Sequence, residues 1–370
     1  MKKLILMLQK QFTSIGGQAV IEGVMMRSPN AFVVAVRKPD GSIRLRRDQW
    51  YGFSAKLSFL KKPFLRGVLV LIETMANGIV SLNYSANIAM DEEQKQAALK
   101  KGMTEEAYEK SKKDKEKVSF ATFLSIAVSF VFGIGMFVFL PHALTALIEK
   151  MSGAKWDLQS FQFHAIDGTI KAFIFLAYIW AISFLPDIRK VFQYHGAEHK
   201  SISTFEAGEE LTIENARKYP TFHPRCGTTF IFFLMFVSII LFAIIFAIVP
   251  IGANQPMLVK HLMAMVFKVF LSFPIAGISY ELIKFVGSQS GNMIGDIISF
   301  PGRLLQKLTT REPDDSQLEV ALASIKAVLF LEEKYNLKDA KEKKITVEEI
   351  DFKSLSEIES SNLKLNDFVE

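Results

Sequence analysis

The sequence has little cysteine, no large excess of either charge and no clear signal peptide. Cys226 is the only cysteine among 370 residues, which excludes an internal disulfide and suits a reducing compartment. The formal net charge of +6 is modest, and we expect no nucleic acid as a partner. The apolar patch after Lys2 and Lys3 is too short for a signal-peptide core, and no small-residue cleavage site follows it.

Apolar residues, in contrast, are abundant and stand in long runs. Half of the residues are hydrophobic, there are 33 phenylalanines, and the mean hydropathy is +0.23. This composition predicts a mainly α-helical, multi-pass membrane protein in contact with a lipid bilayer. We expect four spans, at about residues 119–140, 169–185, 229–249 and 262–285. The fourth contains Lys268 and Pro274 and should face protein at those points.

The basic residues are unevenly divided among the loops between these spans. The loop at 186–228 has six Lys or Arg residues, whereas the loops at 141–168 and 251–261 have two and one. Basic loops are retained preferentially on the cytoplasmic side. The asymmetry predicts a bacterial inner-membrane protein with both termini and the 186–228 loop in the cytoplasm.

Residues 1–63 are expected to form a cytosolic N-terminal segment. Its glycine-rich stretch, 16–30, suggests backbone bends rather than a regular element. Residues 32–38 and 42–47 are rich in β-branched residues and flank a Pro-Asp-Gly turn, which predicts a β-hairpin. The basic residues of this segment suit a position near anionic lipid.

Residues 64–117 are expected to form an interfacial helix followed by a charged linker. The apolar stretch 64–90 is interrupted by Glu73 and Asn77, and both of its flanks are basic. A single crossing would put one basic flank outside, so we favour an interfacial or re-entrant helix over a span. Residues 91–117 carry equal numbers of basic and acidic residues and predict an exposed helical linker.

The remaining chain divides into a membrane domain and two C-terminal pieces. The membrane domain covers 118–310 and includes the 186–228 loop. Residues 311–335 form an amphipathic helix that opens with a capping box at Ser316 and Glu319 and packs at the cytosolic surface. The polar residues 336–370 are expected to be a loosely ordered tail.

The residues that indicate chemistry lie in the 186–228 loop. His195, Glu198 and His199 form an H-x-x-E-H pattern, and Glu206 follows. At about 100° per residue these four side chains project from one face of a helix. Imidazoles at i and i+4 can share a zinc ion, and a neighbouring carboxylate can be a third ligand or a base.

A second pair of potential ligands comes later in the same loop. His223 and Cys226 are separated by two residues around Pro224, a turn spacing that suits two ligands on one metal. Mixed imidazole and thiolate ligation favours zinc. The alternative is that these histidines lie on the polar face of a cytosolic helix without a metal.

Three segments together resemble one family. They are GGQAVIEGVMMRSP near the N-terminus, YHGAEHK with HPRCGTTF in the middle, and LTTREPDDSQLEVA near the end. Their order and spacing resemble the bacterial YqhQ-like membrane proteins, domain of unknown function 1385, over roughly residues 14–330. The resemblance implies a metal-dependent enzyme without naming a substrate. On this chain the metal expectation falls on His195, Glu198, His199, His223 and Cys226.

Two functions follow from these expectations. In the first the chain is a zinc-dependent hydrolase: three of His195, His199, Glu206, His223 and Cys226 hold the metal, Glu198 is the general base, and Arg225 binds an anionic group of the substrate. In the second the zinc is structural and folds a cytosolic cap that binds another membrane protein or lipid. A transporter is a third, weaker option, supported by Lys268 and Pro274 alone.

Overall fold

The computed structural model describes residues 15–28, 32–47, 62, 64–108, 120–153, 156, 158–224, 226–252, 254–288, 293–334 and 348–360. Within these residues the chain is mainly helical and carries one antiparallel sheet. Each face of the sheet packs against helices in a core of its own, and a group of long apolar helices forms a third core.

The sheet is a five-stranded antiparallel meander whose strands lie side by side in chain order. Its strands are β1 (Gly16–Val20), β2 (Gly23–Arg27), β3 (Phe32–Arg37), β4 (Ile43–Arg47) and β5 (Glu348–Phe352). The predicted hairpin is confirmed, because β3 pairs with β4. Its turn depends on Gly41, because a φ of 85° favours glycine. The Asp40 carboxylate also accepts a hydrogen bond from the Ser42 amide.

The glycine-rich stretch forms a second hairpin, so the prediction of irregular bends there was wrong. β1 pairs with β2 along its whole length, and Glu22, at a φ of 51°, makes the turn between them. The glycine at the start of β2 serves close packing rather than a bend. A Cβ at Gly23 would collide with the carbonyl oxygen of Ala35 on β3.

Part of the expected loose tail is ordered against the sheet. β5 pairs with β4, and a short helix, α11 (Leu355–Ser360), follows it. Asp351 accepts hydrogen bonds from Arg44 at 2.7 and 2.8 Å, and Arg47 pairs with Glu348 at 3.0 Å. The acidic composition suggested disorder, but it also complements the basic strand β4.

The other helices have the following bounds: α1 (Leu65–Lys100), α2 (Phe120–Ile134), α3 (Leu140–Ser152), α4 (Phe161–Ile182), α5 (Pro186–Glu206), α6 (Ile213–Arg217), α7 (Gly227–Ile248), α8 (Met257–Ser288), α9 (Met293–Thr309) and α10 (Asp315–Lys334). Five stretches of them are long and apolar enough to cross a membrane: Leu65–Asp91, Ala127–Ser152, Phe161–Ile182, Gly227–Ile248 and Met257–Phe285. The last four correspond to the four expected spans, with shifted ends. The first is the segment expected to be interfacial.

The first expected span does not stop at Pro141. A π-helical turn, Gly135–Phe139, joins α2 to α3, and the proline follows it in the first turn of α3. The widened turn accommodates the proline, which has no amide hydrogen to donate. The helix therefore continues to Ser152, and the second expected span begins earlier, at Phe161, where Ser160 caps α4.

Helix α1 contacts the apolar helices at one end and the sheet at the other. Near its start Arg66 donates to Glu281 on α8 at 2.6 Å. Farther along, Ser85 accepts the Ile21 amide at the end of β1, and Tyr84 and Ile88 are buried against the sheet. The part of α1 around Tyr84 and Ile88 is therefore packed against the sheet.

The opposite face of the sheet packs on α5 and α10. Helix α10 is almost fully buried there and belongs to this core. Its cap lies two residues earlier than predicted. The Gln317 amide donates to Asp314 at 2.9 Å, and the Asp314 amide donates to the Gln317 side chain at 3.0 Å.

Candidate metal centre

Helix α5 carries the first ligand candidates on its inner face. Pro186 occupies the first turn of the helix and Asp187 adds a negative charge near its N-terminus. His195, nine residues after Pro186, lies on the same face of α5 as Glu198 and His199, as their spacing predicts. Glu198 and His199 are buried, and His195 is half-buried.

Both imidazoles are held by backbone carbonyl groups. His195 Nδ1 lies 2.8 Å from the Thr309 oxygen, and His199 Nδ1 lies 2.6 Å from the Thr221 oxygen. A carbonyl oxygen can only accept, so Nδ1 must carry the proton in each ring. In the neutral rings Nε2 is then the atom with a free lone pair, which is the usual second shell of a metal-bound histidine.

The third candidate, Cys226, faces these two rings. Its Sγ lies 3.2 Å from His195 Nε2. The same sulfur caps helix α7 by accepting a hydrogen bond from the Thr228 amide at 3.4 Å. The N-terminal end of a helix favours a negatively charged ligand atom. One ligand atom from each of His195, His199 and Cys226 lies within 4.8 Å of the other two.

These three residues fit a transition-metal ion such as zinc. Zinc binds imidazole nitrogen at about 2.0–2.1 Å and thiolate sulfur at about 2.3 Å, so a tetrahedral ion separates the two ligand atoms by about 3.5 Å. The His195–Cys226 distance of 3.2 Å is close to this value. Two neutral imidazoles and one thiolate also form a donor set that zinc prefers.

His223 lies beside this group, but its ring nitrogen has another partner. His223 Nε2 lies 3.3 Å from a Glu206 carboxylate oxygen, and its ring is 5.7 Å from that of His199. The Gln306 side chain holds the His223 backbone with two hydrogen bonds of 2.9 Å: it accepts one from the His223 amide and donates one to the His223 carbonyl oxygen. The structure thus brings His195, His199 and Cys226 together and leaves His223 with Glu206.

Glu198 is placed next to the ligand candidates by strand β1. Its carboxylate accepts a hydrogen bond from the Gly17 amide, and a Cβ at Gly17 would lie 2.8 Å from the carboxyl group. Only glycine allows this approach. Among the described residues, Glu198 Oε2 is buried without a hydrogen-bond partner, as expected for a group that faces a metal or a water.

Burial dominates the electrostatics of the centre. It raises the pKa of Glu198, although the His195 and His223 imidazoles oppose the shift. Burial lowers the pKa of His199 and of His223. Both changes favour neutral groups, and neutral imidazoles are the form that binds a metal.

The centre lies where the sheet meets the apolar helices. The Arg311 amide donates to the Phe192 oxygen at 2.9 Å, and a Cβ at Gly196 would collide with the Arg311 oxygen. The segment that follows α9, at Arg311, therefore packs directly against α5. This contact places the Thr309 carbonyl on His195.

The sequence did not reveal the residues that support the centre. Thr221 and Thr309 act through backbone carbonyls, which leave no signal in the side chain. Gly17 lies in the segment GGQAVIEGVMMRSP, which is one of the three segments that resemble the family. This resemblance was the only sequence signal for Gly17. The predicted substrate residue, Arg225, lies outside the described residues.

Comparisons with known proteins identify relatives of the chain. A family model described as "Protein of unknown function (DUF1385)" matches residues 62–330. The chain is 35% identical to "Uncharacterized protein YqhQ" of Bacillus subtilis (strain 168) over 331 residues, which cover 86% of this chain and 92% of that protein. No solved structure matches the chain.

Proposed function

The chain belongs to the DUF1385 family, and we propose that it is a metal-dependent hydrolase of the membrane with its centre at His195, His199 and Cys226. The observation that carries this proposal is the fixed tautomer of both histidines, whose rings lie with the Cys226 sulfur so that one ligand atom of each residue is within 4.8 Å of the other two. Three protein ligands leave one position of a tetrahedral ion open, which is the pattern of catalytic rather than structural zinc.

Each residue has a separate role in this proposal. Zinc held by the three ligands would supply Lewis-acid activation of water and of the bond to be cleaved. Glu198, whose Oε2 has no hydrogen-bond partner among the described residues, accepts the proton of the attacking water. Glu198 then passes this proton to the leaving group, while His223 stays paired with Glu206. Arg225 binds an anionic group of the substrate.

The site is proposed to face the cytoplasm at the inner membrane. Four of the candidate spans would cross, whereas α1 would not, because its residues around Tyr84 and Ile88 pack on the sheet. The basic 186–228 loop supports an orientation with the centre and both termini inside. Reporter fusions at Lys150, Glu214 and the C-terminus test it. An external signal at Glu214 would contradict the proposal.

Glu198→Gln tests the catalytic role directly. The amide keeps the size of the side chain but is no base, and loss of a general base reduces rates by about 10²–10⁴-fold. We expect the purified variant to keep its zinc and its thermal stability, while the gene fails to restore a strain that lacks the protein. Glu214→Gln, an exposed change in the same loop, is the matched control. A fully functional Glu198→Gln protein would rule out the hydrolase.

A structural metal centre is the second candidate. The same contacts join α5, the loop before α7 and the end of α9, so a metal there would also stabilise the cap that binds a partner protein or lipid. In that case Glu198→Gln would lower metal content and stability together. Absorption spectra of the cobalt-substituted protein count the ligands: four protein ligands favour the structural centre.

A further inference from the structure

The apolar helices contain a second polar cluster, whose residues are separate from those of the candidate metal centre. Lys268 lies near the middle of α8, and Asp167 and Lys171 lie on α4. Lys268 and Asp167 each expose only 2% of their side chains. Charged groups in the middle of membrane helices are costly and mark ligand or ion sites more often than structural positions.

A chain of short contacts connects this cluster to a pair of histidines. Lys268 donates to Asp167 Oδ2 at 2.9 Å and lies 3.2 Å from His142 Nδ1 on α3. The other nitrogen of His142 lies 2.8 Å from His261 Nδ1 at the start of α8. Lys268 is thereby fixed in place from two sides.

The cluster has more positive than negative charge. Lys171 lies 3.8 Å from the same Asp167 oxygen that Lys268 uses, beyond hydrogen-bond distance. The charged side chains of the cluster are two lysines and one aspartate. With neutral histidines the net charge is +1, and an unpaired charge in an apolar medium is expensive.

A cavity of about 270 Å³ lies beside the two lysines. Lys171, Lys268, Ser238 and Ser272 are its polar residues, and aromatic and aliphatic side chains form the rest of its wall. Ser272 is exposed on the outer side of the helices, so the cavity opens sideways, where the bilayer would be. An apolar cavity with a few convergent polar groups is the usual form of a small-molecule site.

The wall of the cavity includes an irregular helical turn. Phe137 and Val138 line the cavity and belong to the π-helical turn Gly135–Phe139. Such turns occur frequently at functional sites. Here the turn forms part of the same cavity wall as the two lysines.

We propose that this cavity binds an amphiphile with one carboxylate group, such as a long-chain fatty acid, whose carboxylate pairs with Lys171 and Lys268. The carboxylate neutralises the excess positive charge, and the apolar tail leaves through the lateral opening into the lipid. A phospholipid headgroup is a poorer occupant, because headgroups lie at the membrane surface and the lysines lie near the middle of their helices.

Binding of radiolabelled oleate to the full-length protein in nanodiscs tests the proposal. The wild type should bind oleate saturably at one site. Lys171→Ala should weaken binding by at least about tenfold, the effect of losing one charged contact, and Lys171→Arg should restore most of it. Lys171 is chosen because Lys268 is paired on two sides and its loss threatens folding. Lys284→Ala, an exposed change near the end of α8, should bind like the wild type.

Two further measurements test which chemical group of the ligand is recognised and where the ligand binds. Ser272→Phe fills the opening without changing charge and should also abolish binding, while neutral oleyl alcohol should not compete with oleate. Equal binding of oleyl alcohol, equal affinity of Lys171→Ala or absence of saturable oleate binding would each overturn the proposal. Saturable binding of phosphatidylglycerol alone, dependent on Lys171, would overturn the fatty acid in favour of a headgroup.

Discussion

The candidate metal centre and the cluster around Lys268 are both buried and polar, yet they are built in opposite ways. In the metal centre the rings of His195 and His199 donate to backbone carbonyls and turn free lone pairs inward. In the cluster the ammonium groups of two lysines converge on one carboxylate. The first arrangement offers electron pairs, and the second offers positive charge.

This difference separates the ligands that each region would bind. A set of neutral imidazoles and one thiolate gains energy from a cation and is left with unpaired acceptors without it. A cluster with net positive charge gains energy from an anion. The predictions below test whether the two regions are independent, in order of decreasing effect.

The largest effect is expected from His195→Ala combined with His199→Ala. Two of three proposed ligands are lost, so zinc measured by elemental analysis should fall from about one per chain to near zero. Oleate binding to the cluster should stay at the wild-type level wherever the variant folds. Full metal content in the double variant would show that the metal lies elsewhere.

The buried ion pair gives the next largest effect. Lys268→Met leaves Asp167 with Lys171 at 3.8 Å, and breaking a buried pair costs about 3–5 kcal/mol. The double variant Asp167→Asn, Lys268→Met removes both charges and should recover most of the loss in thermal stability. Zinc content should not change in either variant. A double variant as unstable as the single one would show that the two charges are not coupled.

Gly196→Ala should have an intermediate effect, confined to the metal centre. The added methyl group would overlap the Arg311 carbonyl, and overpacking of this kind costs about 1–3 kcal/mol. We expect a lower melting temperature and weaker zinc retention against a chelator. Gly133→Ala on α2 has open space around it and should be neutral or slightly stabilising. Equal melting temperatures of the two variants would contradict the close contact.

The smallest effect concerns β5, which belongs to neither region. Hydrogen bonds from Arg44 lower the pKa of Asp351 below its ordinary value. The pair therefore stabilises β5 above pH ~4 and loses its effect as the pH falls through the lowered pKa. Amide exchange in β5 should rise at acid pH in the wild type. Asp351→Asn should show the faster exchange at neutral pH already, with little further change on acidification.

Local patterns were enough to predict much of the fold. Alternating β-branched residues around Pro39, Asp40 and Gly41 predicted the β3–β4 hairpin, since the signal lies within 16 residues. Long apolar runs predicted the helices, although their ends were wrong where a π-helical turn carried the helix past Pro141. The strand β5 was missed because its pairing with β4 joins residues about 300 positions apart.

By itself the sequence determined which chemical groups are present and that His195, Glu198 and His199 share a helix face, because helical spacing is local. The tertiary structure decided the rest. It brought the Cys226 sulfur into contact with His195, paired His223 with Glu206 and placed the backbone of Gly17 next to the Glu198 carboxylate. It also paired Asp167 with Lys268 across two helices. These contacts join distant parts of the chain, and the carbonyls that orient the histidines carry no side-chain signal at all.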